Sequence, residues 1–171
     1  DGDSTADAGL EEQMDPALPA SLGRRFADES VRRAFKHCAM RIAKDYKPPY
    51  LALASEINTY FKFHPDDAEA FVSLYRETAH AVKQLSPGTK VTATLQYELL
   101  TGTAEGTARW DALERFGDAL DAVAITTYPS PFFQSPDAIP TDYYLQLTRH
   151  TAKPVIVAES GWPTGGGAAF H

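Results

Sequence analysis

Hydrophobic positions along the chain alternate between helical spacing and short runs that are typical of buried strands. Apolar residues three and four positions apart predict helices over about 28–46, 64–85, 109–119 and 141–150. Between them, apolar or alternating runs predict strands over 50–58, 90–98, 120–129 and 153–159. Strands that alternate with helices in this order indicate a parallel sheet built from strand–helix–strand units, and so an α/β fold.

The four predicted strands all end on polar side chains. The residues at these ends are Glu56, Gln96 or Glu98, Tyr128 and Glu159, and in the first three strands the end residue alternates in phase with small or polar residues. Glu159 is the weakest case, since the valines two and four positions before it share its parity. Ligands of parallel α/β folds bind at the carboxyl ends of the strands, so we expect these side chains to converge on one mouth.

Two carboxylates from different strands are what hydrolysis of a glycosidic bond requires. One carboxyl group must be protonated to donate to the leaving oxygen, and the other must be ionised to attack the sugar carbon or to activate water. Glu56 and Glu159 are the candidates. The alternative is that both are structural carboxylates held by Arg or Lys, but the pairing and the strand order favour catalysis.

Composition narrows the classes of function. The 171 residues are 43% hydrophobic and 23% charged, as in an ordinary globular protein with one core. The formal net charge of −7 and the lack of a Lys/Arg cluster argue against nucleic acid as a partner. No apolar run approaches the ~20 residues of a membrane span. No pair of histidines has metal-ligand spacing, and we expect neither a metal nor a cofactor.

Three smaller expectations follow from the residues. The single cysteine, Cys38, lies on an apolar stripe of the first helix, which predicts core packing. Residues 1–23 are acidic and small and predict an irregular segment, followed by one folded domain over 24–171. The glycines at 165–167 are not followed by Lys and Ser or Thr, so we interpret them as a tail rather than as a phosphate-binding loop.

The strand-end motifs resemble those of (β/α)8 glycoside hydrolases of clan A, and most closely family 53 endo-galactanases and family 17 glucanases. In that clan the acid/base Glu ends strand four, which matches the stretch 53–58 with Glu56. The nucleophile ends strand seven, which matches 159–164 with Glu159, and an aromatic residue of strand six that contacts the nucleophile matches Tyr128. The resemblance covers about residues 28–164.

This resemblance implies a TIM barrel of which the chain supplies the C-terminal half, or an incomplete barrel with about four parallel strands. A complete barrel typically needs ~250 residues. We therefore expect the missing half of its own barrel as a partner, carbohydrate as substrate, and weak activity of the isolated chain. The resemblance also implies a secreted or periplasmic protein.

Residues around the catalytic pair are candidate sugar contacts. Ser55 stands where the clan usually has Asn, whose side chain commonly contacts the sugar 2-hydroxyl, and its shorter reach affects the expected substrate range. Asn58 and Gln96 are amides that a buried site would also have to satisfy internally, and Trp162 either stacks on sugar or caps the barrel. The full set of candidate substrate-binding residues is Ser55, Asn58, Gln96, Glu98, Tyr128 and Trp162.

Three functions stay open at this point. The first is a retaining glycoside hydrolase that acts on a β-linked polysaccharide. The second is a carbohydrate-binding barrel that has lost catalysis, which Ser55 makes conceivable. The third is a truncated piece without autonomous function.

Overall fold

The structure, a computed structural model, describes residues 25–163, and the statements below concern this part of the chain. The acidic segment over 1–23 and the glycines at 165–167 lie outside it. The α-helices of the described part are α1 (Glu29–Tyr46), α2 (Ile57–Phe63), α3 (Ala68–Leu85), α4 (Tyr97–Thr101) and α5 (Asp111–Glu114). The strands are β1 (Tyr50–Ala52), β2 (Lys90–Thr92), β3 (Thr94–Gln96), β4 (Val123–Thr127) and β5 (Val155–Ser160). Short 3-10 helices span Pro65–Asp67, Gly117–Ala119, Pro136–Ala138 and Tyr143–Arg149.

All strand pairs in the described part are parallel. β1 pairs with β2, and β3, β4 and β5 pair in that order. Only Ala93 separates β2 from β3. Backbone bonds from Leu53 N–H to the Thr92 carbonyl (2.8 Å) and from Thr94 N–H to the Ala54 carbonyl (2.9 Å) continue the pairing with β1 past this break. The predicted α/β fold with parallel strands is confirmed.

The strand register places most large apolar residues on one side of the sheet and most small and polar ones on the other; Ile156, opposite Ala124, lies on the side of the small residues. The helix-facing side carries the pairs Leu51–Val91, Leu95–Ile125 and Val123–Val155. The opposite side, here called the inner face, carries the pairs Ala52–Thr92, Thr94–Ala124 and Gln96–Thr126. Phe71, Tyr75 and Phe116 are fully buried in one core cluster with the helix-facing side chains. The main core therefore lies between the sheet and the helices.

The first helix is rotated relative to the sequence prediction. Cys38 is exposed, and the buried residues of α1 are Ala39 and Ala43. The prediction of a core cysteine was wrong. α1 packs along α3 with Ala39 and Ala43 buried, and Cys38 lies about 100° around the helix from Ala39.

Two predicted strand ends belong to helices. The second predicted strand ends at Gln96, whose side-chain oxygen accepts the Leu99 N–H at 2.5 Å and so caps α4. Glu98 consequently lies in the first turn of α4. Glu56 likewise precedes α2, which the sequence did not predict. The helix predicted over 109–119 is divided into α5 and a 3-10 turn, and the helix predicted over 141–150 is a 3-10 helix.

The sheet is open at both sides. Within residues 25–163, β1 has a pairing strand on one side only, and so has β5. Val155 is 42% exposed and Val157 is 56% exposed, although both are large apolar residues of a strand. No helix within residues 25–163 is long and apolar enough to cross a membrane. The described part is an α/β fold with unpaired edges, which is compatible with an incomplete larger fold.

Candidate active site at the carboxyl ends of the strands

Glu56 occupies the turn between β1 and α2 in a left-handed backbone conformation, with φ 47° and ψ 44°. Two hydrogen bonds hold this turn. The Glu56 N–H donates to Thr94 Oγ1 at 2.8 Å, and the Glu56 carbonyl accepts the Thr59 N–H at 2.9 Å. A residue other than Gly in this conformation costs of order 1–3 kcal/mol, and such strain concentrates at functional sites.

The Glu56 side chain reaches past β3 to β4. Thr126 Oγ1 donates to Glu56 Oε1 at 2.6 Å, across 70 positions of the sequence. Thr126 lies on the inner face, directly opposite Gln96 in the register. The Glu56 carboxylate is therefore fixed on the inner side of the sheet.

A bulge in β5 places Glu159 on the same side. Val157 lies opposite Ile125, and Glu159 lies opposite Thr126, so Ala158 is an extra residue in β5. Residues directly opposite in a sheet point to the same face, and Glu159 therefore shares the inner face with Thr126. The parity that Glu159 shares with Val155 and Val157 in the sequence does not put it on their face, because the bulge reverses the alternation between Val157 and Glu159.

Tyr128 donates its phenol hydrogen to Glu159 Oε1. This hydrogen bond is the main reason that the pKa of Tyr128 rises to about 12; burial and the negative charges of Glu159 and Glu56 raise it further. At neutral pH the phenol therefore stays protonated and remains a donor to Glu159. The aromatic contact that the resemblance implies for Tyr128 is present in the structure.

Gly161 packs against the ring that makes this contact. A Cβ atom at Gly161 would lie 3.0 Å from Tyr128 Cε1 and 3.3 Å from Cδ1, which is closer than ordinary packing allows. The absence of a side chain at position 161 thus lets the Tyr128 ring lie beside the end of β5. The sequence signal for this was only a glycine after a strand.

The carboxylates of Glu56 and Glu159 are thus bound by two inner-face residues of the same chain segment. Thr126 contacts Glu56, and Tyr128, two positions later, contacts Glu159. Within the described residues, neither carboxylate takes part in an ion pair with Lys, Arg or His. This arrangement differs from that of structural carboxylates held by cations, which was the alternative for both residues.

The two candidate amides bond within the protein. The Asn58 side chain is buried; its Nδ2 donates to the Gln96 carbonyl at 2.9 Å, and its Oδ1 accepts the Gln96 N–H at 2.8 Å. Asn58 thereby imitates one further strand residue beside β3. The Gln96 amide bonds to Leu99 and Glu98. Both amides therefore have hydrogen-bond partners within the protein, which is the structural role that the sequence left open for them.

Glu98 lies behind the mouth rather than in it. Its exposed fraction is 0%, and its carboxylate accepts hydrogen bonds from Thr127 of β4 and from Tyr143 of the Tyr143–Arg149 helix. A direct contact between Glu98 and sugar is incompatible with this position. The prediction treated residue 98 as a strand end, and its actual place on α4 turns the carboxylate to the helix side of β4.

Ser55 and Trp162 lie near the two carboxylates in the sequence and are accessible. Ser55 is exposed and directly precedes Glu56, and Trp162 is half-buried just after Gly161. The sugar contacts expected of Ser55 and Trp162 stay predictions. The described residues contain no cluster of three or more side chains that could hold a metal ion.

Comparison of the chain with protein families, with curated proteins and with solved structures found no match. The case for a function therefore depends on the geometry of the site and on the sequence motifs.

Proposed function

We propose that the chain is part of a (β/α)8-barrel glycoside hydrolase that cleaves β-linked polysaccharide or oligosaccharide with retention of configuration. Glu56 is the acid/base and Glu159 is the nucleophile. The observation that carries the proposal is the placement of both carboxylates on inner-face partners two residues apart, Thr126 and Tyr128. The sequence motifs around both glutamates support the same assignment.

The proposed reaction is a double displacement. Glu56 protonates the oxygen of the leaving sugar while Glu159 attacks the anomeric carbon, and a covalent glycosyl-enzyme forms. Glu56, now ionised, then removes a proton from water, which attacks the same carbon and frees Glu159. Tyr128 donates a hydrogen bond to one Glu159 oxygen and thereby orients the carboxylate for attack.

The described part contains four parallel chain segments, and the two outer ones have free edges. This arrangement supports the proposal that the chain forms part of a (β/α)8 barrel. In the proposal, β1, the β2–β3 segment, β4 and β5 correspond to barrel strands four to seven. Further strands would then pair with the open edges of β1 and β5. Carbohydrate binds in the cleft at the carboxyl ends, where such barrels hold their active sites.

The substitution Glu159→Gln tests the assignment in the full-length protein. We expect hydrolysis of galactan, laminarin or an aryl β-glycoside to fall by at least about 10³-fold, because an amide cannot form the glycosyl-enzyme. Glu114→Gln, an exposed position on α5, is the matched control and should leave turnover unchanged. Unchanged turnover of Glu159→Gln would remove Glu159 from the role of nucleophile.

A second candidate is a carbohydrate-binding barrel without catalysis, favoured by the exposed Ser55 where the clan has Asn. Calorimetric titration with oligosaccharides distinguishes the two functions. Saturable binding without release of any product from the same oligosaccharides would favour the binding protein. Product release that depends on Glu56 and Glu159 would favour the hydrolase.

A further inference from the structure

Glu98 has no place in the reaction proposed above, although its carboxylate is buried directly behind the site. We infer that Glu98 is a positioning residue for the nucleophile: it fixes the backbone at Thr127 and Tyr128 so that the Tyr128 phenol meets Glu159. The catalytic consequence rests on the proposed function. The structural consequence, the placement of Tyr128, does not.

Four hydrogen-bond donors surround the Glu98 carboxylate. Thr127 Oγ1 donates to Oε1 at 2.6 Å, and the Tyr143 hydroxyl donates to the same oxygen at 3.3 Å. Gln96 Nε2 donates to Oε2 at 2.7 Å, and the Tyr128 N–H donates to this oxygen at 3.3 Å. Within the described residues no Lys, Arg or His forms an ion pair with Glu98. Dipoles alone therefore surround this buried carboxylate.

The two oxygens of Glu98 have different kinds of partner. The partners of Oε1 are hydroxyls, which can rotate and can also accept a hydrogen bond. The partners of Oε2 are a backbone N–H and an amide NH₂, which only donate. The Gln96 amide is fixed in this orientation because its oxygen accepts the Leu99 N–H. Without an acceptor at Oε2, the N–H of Tyr128 and the amide NH₂ of Gln96 lose their partner.

The alternation of β4 directs the effect of Glu98 to one of the two catalytic carboxylates. Glu98 contacts Thr127 on the helix-facing side and the N–H of the next residue, Tyr128, whose ring lies on the inner face. The ring contacts Glu159. Glu56 is held instead by Thr126 and Thr94, neither of which contacts Glu98. Glu98 thus acts through Tyr128 on the nucleophile side of the site, and it forms no hydrogen bond with Glu56 or with the two threonines that hold Glu56.

Two neutral variants of similar length distinguish the effect of the hydrogen bond to the Tyr128 N–H from the effect of the negative charge of Glu98. Glu98→Gln can place its oxygen at the position of Oε2 and its NH₂ toward the two hydroxyls, which can accept. Glu98→Met fills a similar volume but offers the Tyr128 N–H no effective acceptor. Both variants remove the negative charge, and they differ in the hydrogen bond to Tyr128.

The first readout is the chemical shift of Tyr128 Cζ at pH 7, measured by NMR with ¹³Cζ-tyrosine and assigned by comparison with Tyr128→Phe. In Glu98→Met we expect this resonance to move toward its position in Glu159→Gln, in which the phenol has lost the carboxylate partner. In Glu98→Gln it should stay near the position in the natural protein. This measurement requires no catalysis, so failure of the proposed function leaves it decisive.

The second readout is kinetic. We expect Glu98→Met to lower kcat by about ten- to hundredfold with KM changed less than about threefold, because a misplaced nucleophile affects the chemical step. Glu98→Gln should restore kcat to within about threefold of the natural protein. The pH dependence of kcat/KM has one limb that reports the ionisation of the acid/base residue. The midpoint of this limb should be the same in all three proteins, because no hydrogen bond joins Glu56 to Glu98.

Three results would overturn the inference. One is an unmoved Tyr128 resonance in folded Glu98→Met. Another is equal loss in the Gln and Met variants, which would assign the effect to the charge. If Glu98→Met does not fold, Thr127→Val removes the shortest of the four bonds to Glu98 while keeping the side-chain shape. It should move the Tyr128 resonance in the same direction, and an unmoved resonance would be the third contrary result.

Discussion

At the scale of single residues, the backbone conformation of Glu56 determines where its carboxylate lies. A left-handed residue turns the chain from β1 into α2, and the Glu56 N–H bonds to Thr94 while the side chain bonds to Thr126. Gly would adopt this conformation without strain. A strained Glu at this place indicates that the carboxylate contributes something other than stability.

The strain at Glu56 can be measured by comparing two substitutions. Glu56→Gly and Glu56→Ala both remove the carboxylate, and only the Gly variant relieves the left-handed conformation. We expect the free energy of unfolding, from urea denaturation, to be about 1 kcal/mol higher for Glu56→Gly than for Glu56→Ala. Equal stability, or a more stable Ala variant, would contradict the strained turn.

Gly161 gives a second prediction at this scale. Gly161→Ala pushes a Cβ atom against the Tyr128 ring, so we expect the phenol to move away from Glu159 and kcat to fall about ten- to hundredfold. Gly88→Ala is the matched control, because a Cβ atom at Gly88 meets nothing within 4 Å, and its kcat should not change. Equal kcat values for the two variants would show that the Tyr128 ring is not held by Gly161.

At the scale of secondary-structure elements, Asn58 joins α2 to the end of β3. Its side-chain amide forms both hydrogen bonds that a neighbouring strand residue would form with Gln96. Because Asn58 follows Glu56 by two positions, this pairing also fixes the start of α2 close to Glu56. The turn that presents Glu56 is therefore attached to the sheet at both of its ends.

The substitution Asn58→Leu tests this attachment. It keeps the branched side-chain shape but leaves the N–H and the carbonyl of Gln96 without partners, which should lower the free energy of unfolding by about 2–4 kcal/mol. Ser55→Ala, at an exposed position in the same turn, should change it by less than about 0.5 kcal/mol. A loss of similar size in both variants, measured by urea denaturation, would argue against the role of Asn58.

Some features of the strands could be predicted from the sequence, and others could not. Up to their observed ends, alternation along the first three predicted strands assigned side chains to the two faces of the sheet correctly, because side-chain direction follows directly from the period of a strand. The bulge at Ala158 was not predictable in this way, since it depends on the register with β4. Glu98 was misplaced for a related reason: the cap formed by Gln96 ends the strand, and a polar residue in strand phase gives no sign of it.

At the scale of the whole molecule, the open sheet is the dominant feature. The described part has a closed core between helices and sheet, but both outer strands have free edges and β5 exposes two valines. Free edges of this kind are sites for further strand pairing. We therefore expect the 171-residue chain by itself to hydrolyse carbohydrate weakly, and a protein in which further strands cover β1 and β5 to be the active form.

The most direct test of the proposed function is to trap a glycosyl-enzyme on Glu159, the proposed nucleophile, in the full-length protein. A 2-deoxy-2-fluoro β-glycoside with a good leaving group slows release of the glycosyl-enzyme, and peptide mapping by mass spectrometry then locates the attached sugar. We expect one sugar per protein on Glu159, and no adduct in Glu159→Gln. An adduct on any other residue, or turnover of aryl β-glycosides that survives in Glu159→Gln, would contradict it.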